Sequence, residues 1–144
     1  MIDSSIKVEL KRFLQTALVY EQETGKTANM PSCIVDTCWH EELKSPESWN
    51  QFTKDAVGGE VLHLENRGYG LIEWVPFYEN MFGKLSLDWF LSPDGSRFDQ
   101  QAYDDYCLTG ELKMAWDCVP NIKQDVTNIP TKPLIPGMGS AIAV

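Results

Sequence analysis

The sequence lacks any apolar run close to the roughly twenty residues that a membrane-spanning helix requires. Its first residues also lack the basic start and continuous apolar core of a signal peptide. Basic residues are scarce, since 12 Lys and Arg stand against 21 Asp and Glu for a net charge of −9. Binding to a phosphate backbone requires the opposite sign. We therefore expect a cytoplasmic protein that binds neither a membrane nor a nucleic acid.

The signature motifs of several enzyme classes are missing as well. There is no G-x-S-x-G nucleophile turn and no glycine-rich phosphate loop, and residues 68–70 predict only a turn. The four cysteines, at positions 33, 38, 107 and 118, have spacings that match no standard zinc pair. Without a secretory signal they are predicted to be free thiols, buried as small apolar side chains.

Large apolar side chains are abundant, with a hydrophobic content of 43% that predicts one folded domain with a proper core. Apolar residues recur at helical spacing, between capping residues, in six segments. These predicted helices cover residues 4–24, 34–44, 45–58, 74–83, 99–110 and 111–118. Residues 61–64 predict a short strand or extended linker, residues 87–91 another short apolar unit, and residues 66–70 a loop. The predicted fold class is therefore mainly α, a compact multi-helix single domain.

The character of the chain changes after Pro120. Four of the eight prolines lie at positions 120, 130, 133 and 136, and residues 133–144 carry no charge. Because proline lacks the backbone donor, neither a regular helix nor a central strand is expected to pass through these positions. We predict a helical globular domain over residues 1–120 and an irregular, extended Pro/Gly-rich tail over residues 121–144.

The two histidines are the most direct indication of chemistry. On the predicted second helix, Asp36 and His40 lie one turn apart at the border of the core face, and His63 follows in the next segment. Neutral imidazole and carboxylate are ligands of Zn²⁺ and other divalent metals. A site of Asp36, His40 and His63 would be completed by Glu41 or a cysteine. The alternative is a pair of half-buried histidines that hydrogen-bond to each other, to Asp36 or to the backbone.

Two motifs resemble a known family. Residues 35–43 read V-D-x-x-W-H-x-x-L, followed by S-P-x-x-W at residues 45–49 and by His63. This pattern resembles the helical segment of the glycine-rich domain-containing protein family. Together with W-V-x-x-Y-E-x-x-F-G at residues 74–83, it also resembles uncharacterised bacterial proteins. The resemblance covers residues 34–90 and implies a mainly helical fold without an established activity. A second histidine often follows the W-H pair in the family, but Glu42 and Leu43 occupy that stretch here.

The preferred functional hypothesis is a non-catalytic protein, without a cofactor, that binds another macromolecule as an inhibitor, immunity or accessory protein. Residues 1–120 carry ten Lys or Arg against twenty Asp or Glu, a net charge of −10 that would attract a basic protein partner. Acidic residues flanked by aromatic ones could form its binding surface. The predicted binding residues are Tyr103, Asp104, Asp105 and Tyr106.

Two alternatives remain open. The first is a metal-dependent enzyme centred on His40 and His63, with Asp36 as ligand or orienting group and Glu41 as general base. The second is a carrier or precursor protein whose tail, residues 121–144, is the substrate of a modifying enzyme.

Overall fold

A computed structural model describes residues 4–124 of the chain. This part contains five α-helices, a short 3₁₀ helix and three β-strands. In chain order they are α1 (Ser4–Thr24), β1 (Met30–Pro31), α2 (Ile34–Glu42), α3 (Pro46–Val57), β2 (Gly59–Leu71), α4 (Val75–Phe82), the 3₁₀ helix (Leu87–Phe90), α5 (Gln100–Thr109) and β3 (Lys113–Gln124). None of these helices is long and apolar enough to cross a bilayer.

The prediction of a mainly α fold is wrong, because the described residues form a mixed α/β structure around an antiparallel sheet. The strand order is β1-β3-β2, so β3 is central. β2 and β3 pair along their whole length, from Gly59 opposite Gln124 to Leu71 opposite Lys113. Residues 66–70, predicted as a loop, lie within β2, and residues 111–118, predicted as a helix, lie mostly within β3.

A close approach between the backbone of β2 and the ring of Trp116 explains why residue 68 is a glycine. A Cβ atom on Gly68 would lie only 2.4 Å from Cζ2 of Trp116 on the neighbouring strand. The indole Nε1 of Trp116 donates a hydrogen bond of 3.1 Å to Oδ1 of Asn66. The strand register shifts at the same place, between Glu65 and Gly68. Gly68 therefore belongs to a β-bulge that a tryptophan covers, rather than to a turn.

The central strand runs past the predicted domain boundary at residue 120. β3 continues through Pro120 to Gln124, and Pro120 lies opposite His63 in the register. β1 pairs only with Trp116 and Cys118, so Pro120 lies beyond the stretch that is paired on both sides. A strand tolerates proline at such an edge position. Residues 125–144 lie outside the described residues, and the tail hypotheses stay predictions.

The helices whose ends carry capping residues match their predictions closely. Pro46 occupies the first turn of α3, and Gly58 ends it with a φ of 74°. The side chain of Asp99 accepts a hydrogen bond from the backbone N–H of Ala102 at the start of α5, and Gly110 ends that helix with a φ of 78°. A positive φ is accessible to glycine at little cost, and a carboxylate satisfies a free N–H at a helix start.

The core lies among the helices and one face of the sheet, and α1 runs through it. Leu10, Phe13 and Leu14 of α1 are completely buried. The ring of Phe13 lies 5.3 Å, centroid to centroid, from that of Trp74, and Trp74 lies 5.2 Å from Trp89. Such aromatic packing joins α1 to the start of α4 and to the 3₁₀ helix.

Candidate metal centre

Helix α2 brings Asp36 and His40 to one side through their spacing of four residues. Val35 and Trp39 form the neighbouring stripe and are completely buried, so they orient the helix on the core. As a result Asp36 lies in the interior, where its side chain is 10% exposed, whereas that of His40 is 52% exposed. The helix thus provides one buried potential ligand, Asp36, and one exposed potential ligand, His40.

The sheet provides two further donors on one face. His63 of β2 lies opposite Pro120 of β3, and Cys118 is two residues from Pro120 on the same strand. Residues two apart in a strand point to the same face, so His63 and Cys118 are diagonal neighbours. The rings of Trp39 and His63 are nearly perpendicular, with 4.7 Å between their centroids, which places this face of the sheet beside α2.

Four side chains from three elements therefore converge. One nitrogen, oxygen or sulfur atom from each of Asp36, His40, His63 and Cys118 lies within 4.8 Å of all the others. Nε2 of His40 is 2.9 Å from Nε2 of His63 and 3.6 Å from Oδ1 of Asp36. Sγ of Cys118 donates a hydrogen bond of 3.3 Å to the same Oδ1. Zinc bonds of about 2.0–2.3 Å in a tetrahedron imply ligand separations of about 3.3–3.7 Å.

Burial sets the electrostatics of this cluster. Burial raises the pKa of Asp36, and the neighbouring His40 opposes that shift. Burial and the proximity of His40 lower the pKa of His63. Burial raises the pKa of the Cys118 thiol, and Asp36 adds to the effect. Each shift favours the neutral form, because a buried charge without compensation is costly. A bound cation would supply that compensation for the carboxylate and the thiolate.

The position of the cluster on α2 also favours a cation. His40 lies in the last turn of this helix. The free carbonyl groups of a helix C-terminus carry a partial negative charge, which stabilises positive charge nearby. Asp117, the residue before Cys118, lies near enough to contribute to the raised pKa values of Asp36 and Cys118, whose main cause is burial. The surroundings of the four donors are therefore negative.

Sequence reasoning identified three of these four residues. The structure brings Asp36, His40 and His63 together, and it also contains the predicted hydrogen bond between the two histidines. Glu41 lies outside the cluster, where its carboxylate pairs with Nζ of Lys44 at 3.1 Å. Cys118 was missed as a specific ligand because the expected helix over residues 111–118 gave it no relation to His63. The spacing of Cys118 from the other cysteines does not indicate a metal ligand either.

The predicted partner-binding residues on α5 do not form one surface. Asp104 and Asp105 are exposed, and Tyr103 is half-buried with its ring against Phe90, 5.2 Å between centroids. Tyr106 is buried in the core. Its hydroxyl donates a short hydrogen bond to the carboxylate of Glu79 and accepts one from a backbone N–H. The ring of Tyr106 is thus not accessible to a partner.

The buried hydroxyl of Tyr106 makes stability depend on alkaline pH. Burial and the hydrogen bond to Glu79 raise its pKa from 10.0 to about 12. The unfolded chain therefore loses this proton first as the pH rises. The stabilising contribution is complete below about pH 10 and is lost as the pH approaches 12. We expect Tyr106→Phe to flatten the decrease in the urea midpoint between about pH 10 and pH 12. Tyr69→Phe, at a ring that is 72% exposed, is the matched control and should leave that decrease unchanged.

Comparison with known proteins finds no match for this chain. No protein-family model matches the sequence, and no curated protein or solved structure is significantly similar to it. The resemblance to the glycine-rich domain-containing protein family accordingly stays a prediction. The chemistry of the four converging side chains is the basis on which a function can be argued.

Proposed function

We propose that the protein binds Zn²⁺ through Asp36, His40, His63 and Cys118. The observation that supports this proposal is the convergence of four potential ligand atoms within 4.8 Å, from a helix and two strands. Exposed acidic groups commonly cluster without a metal, but here two of the four residues are buried. The four donors hydrogen-bond one another in two pairs, and a metal ion would replace these bonds and hold all four together.

The mixture of donors favours zinc over other biological cations. A thiolate and two imidazoles are soft or borderline ligands, which suit Zn²⁺, whereas Mg²⁺ and Ca²⁺ take oxygen ligands. Two histidines, one cysteine and one carboxylate would complete a tetrahedral shell. In this arrangement zinc would link α2 to β2 and β3, and so add a tertiary cross-link at the edge of the core.

The cysteines support a reducing location for such a protein. All four are free thiols, and Cys33, Cys38 and Cys118 are buried. Free thiols persist in the cytoplasm, where disulfides are rare. The free thiols thus support the cytoplasmic location that the sequence predicts. The predicted role in binding a macromolecular partner stays a prediction, now without Tyr106 as an accessible anchor.

Titration with Co²⁺, the spectroscopic substitute for Zn²⁺, tests the proposal. We expect one equivalent of Co²⁺ to produce tetrahedral visible bands and a thiolate-to-metal charge-transfer band, and one equivalent of Zn²⁺ to remove both. Cys118→Ser should abolish the charge-transfer band, because it removes the only sulfur among the four donors. Cys107→Ser is the matched control, since this cysteine is exposed and outside the cluster. A spectrum that needs many equivalents, or that Cys118→Ser does not change, would contradict a zinc site here.

A further inference from the structure

The four proposed ligands differ in how firmly the protein holds them. Cys118 is 1% exposed, and Asp36 is 7% exposed. His63 is half-buried, and its ring packs against the completely buried ring of Trp39. The side chain of His40, in contrast, is 52% exposed. Three ligands are thus fixed by the core and the sheet, and the fourth lies at the surface.

The ring of His40 is positioned by the other ligands rather than by the core. Its Nε2 atom lies 2.9 Å from Nε2 of His63 and 3.6 Å from Oδ1 of Asp36. The ring of His63 is its aromatic neighbour, at 4.7 Å between centroids. The helix ends two residues later, at Glu42. Rotation of the His40 side chain toward solvent therefore breaks no core packing, and it would uncover the metal position.

We propose that the metal is exchangeable and that His40 is its gate, through which a small imidazole donor takes its place on the metal. This inference rests on the proposed zinc site. In the exchange step, a ring nitrogen of the incoming imidazole forms a bond to Zn²⁺ as the bond to Nε2 of His40 breaks. One neutral ligand replaces another, so no proton or electron is transferred. Asp36, His63 and Cys118 keep their bonds in this intermediate.

Gated exchange distinguishes this site from a structural zinc site. A structural zinc whose ligands are all buried leaves only when the surrounding structure opens. Here an incoming donor can reach the metal from the His40 side without unfolding. Such a site suits a protein that releases or accepts zinc in response to imidazole-bearing donors, a histidine-containing peptide being the simplest biological example.

Transfer of zinc from the loaded full-length protein to a chromophoric chelator, with increasing imidazole, tests the gate. For the unmodified chain we expect the transfer rate to rise with imidazole concentration. His40→Ala should release zinc faster by about tenfold or more, since even loss of an indirect metal partner costs about 10–100-fold. Added imidazole should then slow release from His40→Ala by filling the vacant position. Lys44→Ala, an exposed change four residues along the chain, is the control and should behave like the unmodified protein.

His63→Ala provides the decisive contrast. The position vacated by the His63 side chain would face the ring of Trp39, so imidazole should fail to slow the release of zinc from this variant. Equal rescue of both variants, or rescue of neither, would overturn the gate, as would a transfer rate of the unmodified chain that does not depend on imidazole. His40→Gln serves as a second gate variant if His40→Ala folds poorly. Failure of the unmodified chain to retain zinc would instead refute the proposed function.

Discussion

Zinc at a free concentration a thousand times its Kd is expected to raise the free energy of unfolding by about 4 kcal/mol. The ion would bind the folded chain alone, because its ligands are assembled only by tertiary structure. Asp36 and Cys118, which share a hydrogen bond in the cluster, are separated by 82 positions in the sequence. In the unfolded chain these donors are far apart, and binding energy therefore becomes folding energy.

Urea unfolding with and without zinc measures this effect. The midpoint should rise on addition of Zn²⁺ and return to the starting value on addition of a chelator. The variant Cys118→Ser should lose most of the rise, whereas Cys107→Ser, at the exposed cysteine, should keep it. An equal rise in both variants would place the stabilising metal elsewhere in the chain. No rise in the unmodified protein would show that zinc has no preference for the folded state.

The sequence predicts correctly those parts of the fold that are determined by neighbouring residues. The ends of α3 and α5 followed from Pro46, Gly58, Asp99 and Gly110, which act within one turn of the chain. Capping and left-handed backbone conformations are properties of a few neighbouring residues. Such features were recognised from the sequence because no distant part of the protein is needed to produce them.

The sheet could not be predicted in this way, because its strands depend on distant partners. Leu112, Ala115 and Trp116 have helical spacing, yet β3 pairs with β2 across about fifty residues, as in the hydrogen bond between Asn66 and Trp116 with its separation of 50 positions. Once that pairing exists, Trp116 covers Gly68, and the apparent loop becomes a bulged strand. Tertiary pairing overrides local propensity in such a case.

The same difference between local and long-range determinants applies to the four residues of the site. Asp36 and His40 share a helix face because of their spacing, and this part of the site was predicted from the sequence. The approach of Cys118 to His63 depends on the strand register, in which Pro120 lies opposite His63. A shift by one residue would turn Cys118 to the other face of the sheet. The fourth ligand could therefore be identified only from the structure.

The second large effect is expected at Glu9, a buried acid of α1. Its residue exposure is only 4%. Oε1 accepts hydrogen bonds from the hydroxyl of Tyr78 and from Nε1 of Trp89, the latter at 2.9 Å. Oε2 pairs with Nη1 of Arg12 at 3.3 Å. Glu9 therefore satisfies two buried donors in the aromatic core and also pairs with a half-exposed cation.

Removal of this carboxylate should destabilise the protein strongly. Glu9→Ala leaves the Tyr78 hydroxyl and the Trp89 indole N–H without their acceptor, at about 1–3 kcal/mol for each group. With the cavity added, we expect the free energy of urea unfolding to decrease by about 3–5 kcal/mol. Glu9→Gln should lose less, because its amide oxygen can still accept from Trp89. Glu23→Ala, at an exposed acid of the same helix, is the control and should change stability by about 0.5 kcal/mol or less.

A double variant separates the unsatisfied donors from the cavity. Replacing Tyr78 by Phe as well removes one of the two orphaned groups, so Glu9→Ala should cost less in that background than in the unmodified chain. The two changes are then non-additive, as expected for residues in one hydrogen-bond network. Strictly additive losses would show that Glu9 and Tyr78 act independently. In that case the loss on Glu9→Ala would come from the cavity and from the orphaned Trp89 indole N–H, and not from the hydrogen bond of Tyr78.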